Sequence, residues 1–194
     1  MNRRFHMIWG LVMGCAFAAA AEQSAMHPHP LSQAVDRAAA GWPVGPFALV
    51  DQHGEPFTHV RLAGRWTFLL LGDTRCGAPC ADALAALAGL YQRIAKTRAV
   101  TTTQVVFVSL ASQDDTPARL RTYLKPFDPR FLAATGPEPV LARLADDLGV
   151  APGVARYTGS LWLIGPDGVI RGRMQPPYDV PLLTSEYLRT RARG

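Results

Sequence analysis

Two cysteines, Cys76 and Cys80, are the residues of this sequence whose type and spacing best suit chemistry. They follow an apolar run typical of a buried strand and open a run with helical spacing, which predicts a strand-to-helix junction. Unpaired backbone N–H groups and the positive end of the helix dipole favour thiolate over thiol at such a place. Arg75 adds a positive charge, so we expect Cys76 to be the more acidic and more exposed thiol.

The spacing of the pair allows more than one kind of chemistry. One helical turn brings the two Cα atoms to about 6 Å, within the range that a disulfide tolerates. Such a pair can attack and resolve a partner's disulfide, or hold a thiophilic ion such as Cu(I). A passive structural disulfide is the third interpretation, although so small a loop would add little stability.

The elements that must position the pair alternate between strand and helix. In chain order, the apolar patterns predict strands at 66–71, 105–110 and 131–134 and helices at 79–96, 117–125, 139–148 and 180–193. Thr116 and Pro117 form an N-cap followed by a first-turn proline, which explains why a helix should begin there. The continuous apolar runs at 66–71 and 105–110 are typical of strands buried on both faces.

Two hairpins frame this alternation. A turn at 51–54 separates strands at 47–50 and 56–60, and Gly165-Pro166-Asp167-Gly168 separates strands at 160–164 and 169–174. Together the elements predict an α/β fold with a mixed central sheet flanked by helices. Their order is that of a thioredoxin-like fold, here with an N-terminal hairpin.

Length and composition fit one globular domain. The chain has 194 residues, three cysteines, 48% hydrophobic residues and a formal net charge of +5. This composition excludes a disordered chain, a collagen and a coiled coil, and three cysteines are too few for a disulfide scaffold. The positive charge comes from scattered arginines without a basic run, so we expect no nucleic-acid partner.

The first 40 residues are typical of targeting and linker sequence. Residues 1–21 combine an arginine pair, a short apolar run and a small-residue cleavage site, which predicts a signal peptide and export to the periplasm. An uncleaved membrane anchor and a lipid on Cys15 are the alternatives. Residues 22–40 are predicted to be a flexible tether, whose His27 and His29 are too few for a good metal site. The folded domain is placed at 41–194.

The cysteine segment at 72–80, GDTRCGAPC, resembles the Gly-Tyr-Thr-x-Cys-Pro-x-x-Cys signature of the Sco/SenC family. The similarity continues through the strand at 106–110, the Asp115-Thr116-Pro117 motif and the last hairpin. It therefore covers roughly 45–174, most of the chain that remains after the signal. The resemblance implies an exported thioredoxin-like protein associated with copper delivery to cytochrome c oxidase.

The resemblance also implies a copper site of two cysteines and one histidine, and this histidine is missing. It would lie just before the strand that enters the last hairpin, where this chain has Gly159. The last histidine of the sequence is His59, which with His53 is interpreted as a residue of the first hairpin. We therefore predict Cys76 and Cys80 as the copper ligands, with severely weakened Cu(II) binding. A histidine introduced at Gly159 is expected to raise copper affinity.

Charged and apolar residues near these motifs receive simpler interpretations. Asp73 and Arg75 either tune the acidity of the cysteines or are solvated loop charges. Asp114 and Asp115 are interpreted as charges that serve the N-terminus of the helix at 117–125. Met174 is assigned to packing.

Three functional hypotheses follow. The first is a Sco/SenC-like exported protein whose cysteine pair handles copper or reduces thiols during cytochrome c oxidase assembly. The second is a metal-free thiol–disulfide oxidoreductase with Cys76 as nucleophile and Cys80 as resolving cysteine. The third is a noncatalytic interaction module with a structural disulfide. The expected partner is a protein with thiols or a copper site, such as a cytochrome c oxidase subunit.

Overall fold

The computed structural model of the protein describes residues 41–150 and 159–193. The predicted signal peptide, the tether with its two histidines, and Cys15 lie outside these residues and stay predictions. Most of the connection before the last hairpin, 151–158, lies outside them as well. Within the described ranges, no helix combines the length and the apolar character needed to cross a membrane.

A seven-stranded sheet with the order β2-β1-β5-β4-β3-β6-β7 forms the centre of the described structure. The strands are β1 Ala48–Asp51, β2 Pro56–Thr58, β3 Trp66–Gly72, β4 Thr103–Ser109, β5 Leu132–Thr135, β6 Leu161–Ile164 and β7 Ile170–Met174. β3, β4 and β5 run parallel, whereas the remaining neighbouring pairs are antiparallel. The predicted mixed sheet and both hairpins are confirmed.

The described residues also form four α-helices, which agree with the predicted helices to within two residues at each end. They are α1 Ala78–Ile94, α2 Pro117–Leu124, α3 Glu138–Asp147 and α4 Val180–Arg193. α2 begins where the sequence indicates, because Thr116 Oγ1 accepts the backbone N–H of Arg119 at 3.3 Å and Pro117 follows the cap. Short 3-10 helices span His59–Leu62 and Arg98–Thr102.

The central strands are buried on both faces, as their apolar runs predict. All seven residues of β3 and all seven of β4 are buried. Alternate residues of β3 face opposite sides, because side chains along a strand alternate. Phe68 and Leu70 belong to the apolar layer formed with α1, α2 and α4, whereas Leu69 and Leu71 belong to the layer formed with β1 and α3. The sheet is thus a densely packed support between two apolar layers.

The first hairpin differs from the prediction at its far end. Its second strand ends at Thr58, and His59 begins a 3-10 helix instead of continuing the strand. Val60 is 65% exposed, so an extended backbone at this residue would bury little apolar surface. His59 is exposed with its ring at the edge of Phe47, and His53 is exposed in the turn, as predicted for a surface residue.

The pairing of β3 with β4 places the ends of both strands side by side. Gly72 is opposite Ser109 at the carboxyl end, and Trp66 is opposite Thr103 at the amino end. The backbone N–H of Leu110 donates to the Gly72 carbonyl at 2.8 Å, which extends this contact by one residue. The segments that follow the two strands therefore meet at the carboxyl end of the parallel strands, and the first of these segments carries the cysteine pair.

Candidate functional site

Cys76 and Cys80 form a disulfide at the junction between β3 and α1. Their Cα atoms are 5.8 Å apart, in agreement with the separation predicted for one helical turn. Cys80 is fully buried in the first turn of α1, whereas Cys76 is partly exposed and precedes the helix. Gly77 lies between them with a φ of 71°, a left-handed conformation that glycine adopts without strain. Cys76 is therefore the cysteine that a partner can reach.

Gly72, the last residue of β3, lies directly against the buried sulfur. A Cβ atom at this position would be 2.7 Å from Cys80 Sγ and 2.8 Å from Phe107 Cε2. Both distances are far shorter than the contact distance of such atoms, so only glycine fits here. Because Gly72 has no side chain, Cys80 Sγ packs directly against the backbone at the end of β3.

Asp115 joins the cysteine segment to the end of β4. Its carboxylate accepts hydrogen bonds from the backbone N–H and the hydroxyl of Thr74, at 2.9 and 2.6 Å, and from Ser109 Oγ at 2.7 Å. Arg119 completes the cluster, with Nε 2.8 Å from Thr74 Oγ1 and 3.4 Å from Asp115 Oδ1. Asp115 is 1% exposed, so these charge-assisted bonds form away from water, where they are strong.

This cluster corrects the interpretation of Asp115 as a charge that serves α2. Thr116 already caps the helix, and the Asp115 carboxylate is turned towards Thr74 instead. Asp114 also bonds to the cysteine segment, since its Oδ2 accepts Arg75 Nη2 at 2.7 Å on the exposed surface. Sequence reasoning missed both contacts because they join residues 41 and 39 positions apart. The Asp-Thr-Pro motif was the one signal that could have pointed to them.

Asp73 and Arg75, the charges that precede Cys76, differ in exposure. Asp73 is 4% exposed, and its Oδ1 accepts the backbone N–H of Arg75 at 2.6 Å. Its carbonyl accepts the backbone N–H of Cys76 at 3.1 Å. Asp73 is therefore a structural part of the loop, which corrects its interpretation as a solvated charge. The Arg75 side chain is 63% exposed, and its positive charge beside the reachable cysteine is paired with Asp114.

Tyr123 lies behind this loop, with its ring 5.3 Å from that of Phe107. Burial raises the pKa of the Tyr123 hydroxyl, and the negative charges of Asp73 and Asp115 raise this pKa further. The hydroxyl is buried and has no hydrogen-bond partner in the part of the chain that the structure describes. Tyr123 therefore stays neutral and contributes ring surface beneath the site.

Gly159, the position that the resemblance assigns to the absent histidine, packs directly on the cysteine segment. Its φ is +67°, and a Cβ atom there would be 2.5 Å from the carbonyl oxygen of Pro79. The Tyr178 hydroxyl donates to the Gly159 carbonyl and lies 3.1 Å from the Met174 carbonyl oxygen. Burial raises the pKa of Tyr178, which keeps this donor neutral. The position accepts no side chain unless the backbone moves, so a histidine introduced there would first have to displace the backbone.

The other candidate ligands lie away from the cysteines. Over 41–150 and 159–193, no group of three His, Cys, Asp or Glu side chains is placed to hold a metal ion. His53 and His59 flank β2, which β1, β5 and β4 separate from β3 in the sheet. Met174 is fully buried in the core, as predicted. Within these described residues the two sulfurs are the candidate soft ligands, and thiolates prefer Cu(I) to Cu(II).

This strand order, with a cysteine pair at the start of the helix that follows β3, defines a thioredoxin-like dithiol protein. Comparison with known families identifies it further. The family model described as SCO1/SenC matches residues 36–187, which is most of the chain. The chain belongs to the SCO1/SenC family, as its cysteine segment predicts.

Individual relatives agree with this assignment. A Stutzerimonas stutzeri protein with the name "Putative copper-binding protein" is 34% identical over 139 residues, covering 66% of this chain and 67% of that protein. "Protein SCO1, mitochondrial" of Saccharomyces cerevisiae is 35% identical over 92 residues, covering 47% of this chain and 31% of the yeast protein. The match thus spans less than a third of the yeast relative.

The solved structure of yeast Sco1 with copper bound has the same fold. It superposes with a TM-score of 0.71 at 24% identity, over 78% of this chain and 94% of the yeast chain. The predicted thioredoxin-like fold is therefore confirmed.

Proposed function

We propose that this chain is an exported, periplasmic protein that serves cytochrome c oxidase assembly as a dithiol reductant of a partner's cysteines. The observation that carries the proposal is a disulfide between a reachable Cys76 and a buried Cys80. The packing of Gly159 against Pro79 adds to it, because this contact fills the place of a third metal ligand. Membership of the SCO1/SenC family supports the link to oxidase assembly.

The exchange needs only the two sulfurs of the reduced protein. The thiolate of Cys76 attacks one sulfur of a partner's disulfide, and the other partner sulfur leaves as a thiolate. Cys80 then loses its proton and attacks Cys76 Sγ in the mixed disulfide. The Cys76–Cys80 bond forms, the bond to the partner breaks, and the partner leaves as a dithiol. Two electrons pass to the partner, and an external dithiol must reduce the chain before the next cycle.

The surroundings of Cys76 favour the attacking thiolate. The residue lies just before the N-terminus of α1, a helix of 17 residues, whose dipole and free N–H groups stabilise negative charge. Cys80 lies in the apolar layer, which suits a resolving thiol that reacts only with its neighbour.

Delivery of Cu(I) is a second candidate function, and the geometry of the pair favours it. The Cα separation of 5.8 Å lets both reduced sulfurs bind one ion, and thiolates are soft ligands that prefer Cu(I). In this function copper is the cargo, held by two sulfurs and passed to a partner's ligands. The ligand set gives no support to Cu(II) delivery.

Export is proposed from residues 1–21, which combine Arg3 and Arg4 with a short apolar run and small residues before Glu22. A lipid on Cys15 or an uncleaved anchor would hold the domain at the membrane through the tether at 22–40. The cellular fraction that contains the protein tests this part of the proposal, and recovery in the cytoplasm would refute it.

The reductant function is tested by disulfide exchange with an oxidised two-cysteine peptide. We expect the reduced chain to react at least about tenfold faster than dithiothreitol, because its attacking thiol is more acidic. Cys80→Ser should accumulate the mixed disulfide, and Cys76→Ser should not react. A rate no greater than that of dithiothreitol would leave the pair as a structural disulfide.

The copper function is tested by titrating the reduced chain with Cu(I) against a competing chelator. Tight one-to-one binding that is lost in both Cys76→Ser and Cys80→Ser would support Cu(I) delivery. Affinity equal to that of a free dithiol would contradict it and leave the exchange reaction as the function.

A further inference from the structure

The cysteine segment is held by a carboxylate from a distant part of the chain. Thr74, two residues before Cys76, donates both its backbone N–H and its hydroxyl to the two oxygens of Asp115, at 2.9 and 2.6 Å. Because both hydrogen bonds go to one carboxylate, they fix the position and the orientation of Thr74 together. Asp115 is itself held by Ser109 Oγ at 2.7 Å, at the end of β4. The start of the cysteine segment is thereby tied to the central sheet.

Because Asp115 is buried, its carboxylate depends on these hydrogen bonds. A carboxylate that is 1% exposed is stable only when hydrogen bonds replace its lost water. Arg119 supplies only part of that compensation, since its Nε is 3.4 Å from Asp115 Oδ1 and its side chain is 50% exposed. Thr74 and Ser109 supply the rest. Any movement of Thr74 away from Asp115 would leave a buried charge short of donors, so the loop is strongly restrained.

We propose that Asp115 is a positioning residue for the cysteine pair, one that holds the Thr74 end of the segment so that the disulfide is favoured over the dithiol. This inference deepens the proposed function and rests on it in one respect: the pair must cycle between the two forms. Asp115 acts through Thr74 and takes no part in the exchange itself.

Two effects of the carboxylate have the same direction. A restrained segment loses less conformational freedom when the Cys76–Cys80 bond closes, which favours the disulfide. The negative charge of Asp115, held out of water near this segment, disfavours a second negative charge on a thiolate of the reduced form. Replacement of the carboxylate by an amide weakens both effects. It should therefore shift the equilibrium towards the dithiol.

The experiment measures the equilibrium of the full mature chain with glutathione at pH 7. In this reaction the protein dithiol and oxidised glutathione give the protein disulfide and two reduced glutathione molecules. We expect Asp115→Asn to lower the equilibrium constant about tenfold, which corresponds to about 30 mV for a two-electron couple. Thr74→Val removes the hydroxyl's bonds with Asp115 and Arg119 but keeps the charge and the backbone N–H bond to Asp115, so it should lower the constant by a smaller factor, roughly threefold. Thr74→Ser keeps the hydroxyl and should restore the wild-type constant.

Asp128→Asn is the matched control, because Asp128 is also buried but lies before β5 and bonds to Arg130. We expect this variant to lose stability without a change in the glutathione constant. A merely structural Asp115 would behave in the same way, and an unchanged constant in Asp115→Asn would overturn the proposal. If Asp115→Asn does not fold, an unchanged constant in Thr74→Val overturns it instead.

The same measurement separates this proposal from the proposed function. If the wild-type disulfide does not equilibrate with glutathione, the exchange function fails, whatever Asp115 does. If the wild-type protein equilibrates and the two variants at Asp115 and Thr74 do so with the same constant, only the positioning role fails.

Discussion

A buried aspartate lies at each end of the parallel strands, and the two carboxylates form different kinds of hydrogen bond. Before β5, Asp128 accepts Nε and Nη2 of Arg130 at 2.8 and 2.6 Å, and the guanidinium lies 4.6 Å from the centre of the Tyr91 ring. At the carboxyl ends, Asp115 accepts its hydrogen bonds from Thr74 and Ser109. One carboxylate is bonded closely to a charge two residues away, and the other is bonded to neutral donors of two separate segments and has a longer contact with Arg119.

This difference shows what each end of the sheet does. The Asp128–Arg130 pair is local and nearly self-contained, so it stabilises the turn before β5 and little else. The charged partner of Asp115, Arg119, is 3.4 Å away, and the shorter bonds of Asp115 to Thr74 and Ser109 make the cysteine segment dependent on β4. Changes at the cysteine end should therefore alter both thiol chemistry and stability, whereas changes at the opposite end should alter stability alone.

The largest expected effect is that of a side chain at Gly159. Gly159→Ala meets both an unfavourable φ of +67° and the Pro79 carbonyl oxygen at 2.5 Å, so we expect a loss of about 3 kcal/mol in the free energy of unfolding. Gly54→Ala is the control, because Gly54 has a φ of +84° and a Cβ there meets no atom within 4 Å. Urea unfolding should show about 1 kcal/mol for this control.

The same packing predicts the behaviour of a histidine at this position. Gly159→His should not bind Cu(I) more tightly than the wild-type chain, since the backbone must move before the imidazole fits. A clear gain in affinity in the chelator competition would show that the loop around Gly159 rearranges.

Gly72→Ala should have the next largest effect. Its Cβ would be 2.7 Å from Cys80 Sγ and 2.8 Å from Phe107 Cε2, and overpacking of this kind costs about 2 kcal/mol. Because the displaced atom is a disulfide sulfur, the equilibrium constant with glutathione should fall as well. Urea unfolding and glutathione equilibration measure the two effects. An unchanged constant beside a reduced stability would mean that the sulfur keeps its place and Phe107 moves.

Asp128→Asn should destabilise the protein by about 1–2 kcal/mol at pH 7, since it removes a charged hydrogen-bond pair that is half-exposed on its arginine side. Hydrogen bonds from Arg130 hold the pKa of Asp128 below its usual value. Its contribution is therefore fully present above about pH 4 and is lost as the pH falls through the lowered pKa. Urea unfolding at several pH values should show the wild type and the variant converging in acid. A difference that stays constant would contradict the ion-pair explanation.

The smallest expected effects come from two tyrosine hydroxyls that bond to opposite ends of the sheet. Tyr178 donates to the Gly159 carbonyl near the cysteines, and the Tyr187 hydroxyl lies 2.5 Å from Thr103 Oγ1 at the start of β4. Each change to phenylalanine should cost about 1 kcal/mol in unfolding experiments. Only Tyr178→Phe should change the rate at which Cys76 of the reduced chain is alkylated. Equal alkylation rates in both variants would contradict the separation of the two ends.

Most of the fold could be predicted from the sequence because its signals are local. The continuous apolar run of β3, the Thr116 cap of α2 and the turn at 165–168 each depend on residues close together in the chain. The cysteine pair was predictable for the same reason, since its place between a strand and a helix is a local pattern. The thioredoxin-like order follows once these elements are in sequence.

The rest of the site depends on contacts between distant residues, which no local pattern reveals. Asp115 precedes a helix cap, so the sequence predicts a charge that serves the helix. In the structure, the parallel pairing of β3 with β4 brings Thr74 beside it instead. Gly159 was predicted to occupy the place of the missing histidine, but only its contact with Pro79 shows that the position has no room for a side chain. His59 begins a 3-10 helix instead of continuing its predicted strand, and Val60, the last residue of that predicted strand, is 65% exposed, so an extended backbone there would bury little.

The complete burial of Cys80 beside the partly exposed Cys76 has a kinetic consequence. In the proposed exchange, the molecule that reduces the chain and the molecule that it reduces must both form their bond with the same sulfur. The partner reacts with the dithiol form and the reductant with the disulfide form, so the two are never bound covalently at the same time and each must leave before the other reacts. Initial rates measured against both concentrations should then follow a double-displacement pattern, with parallel reciprocal plots.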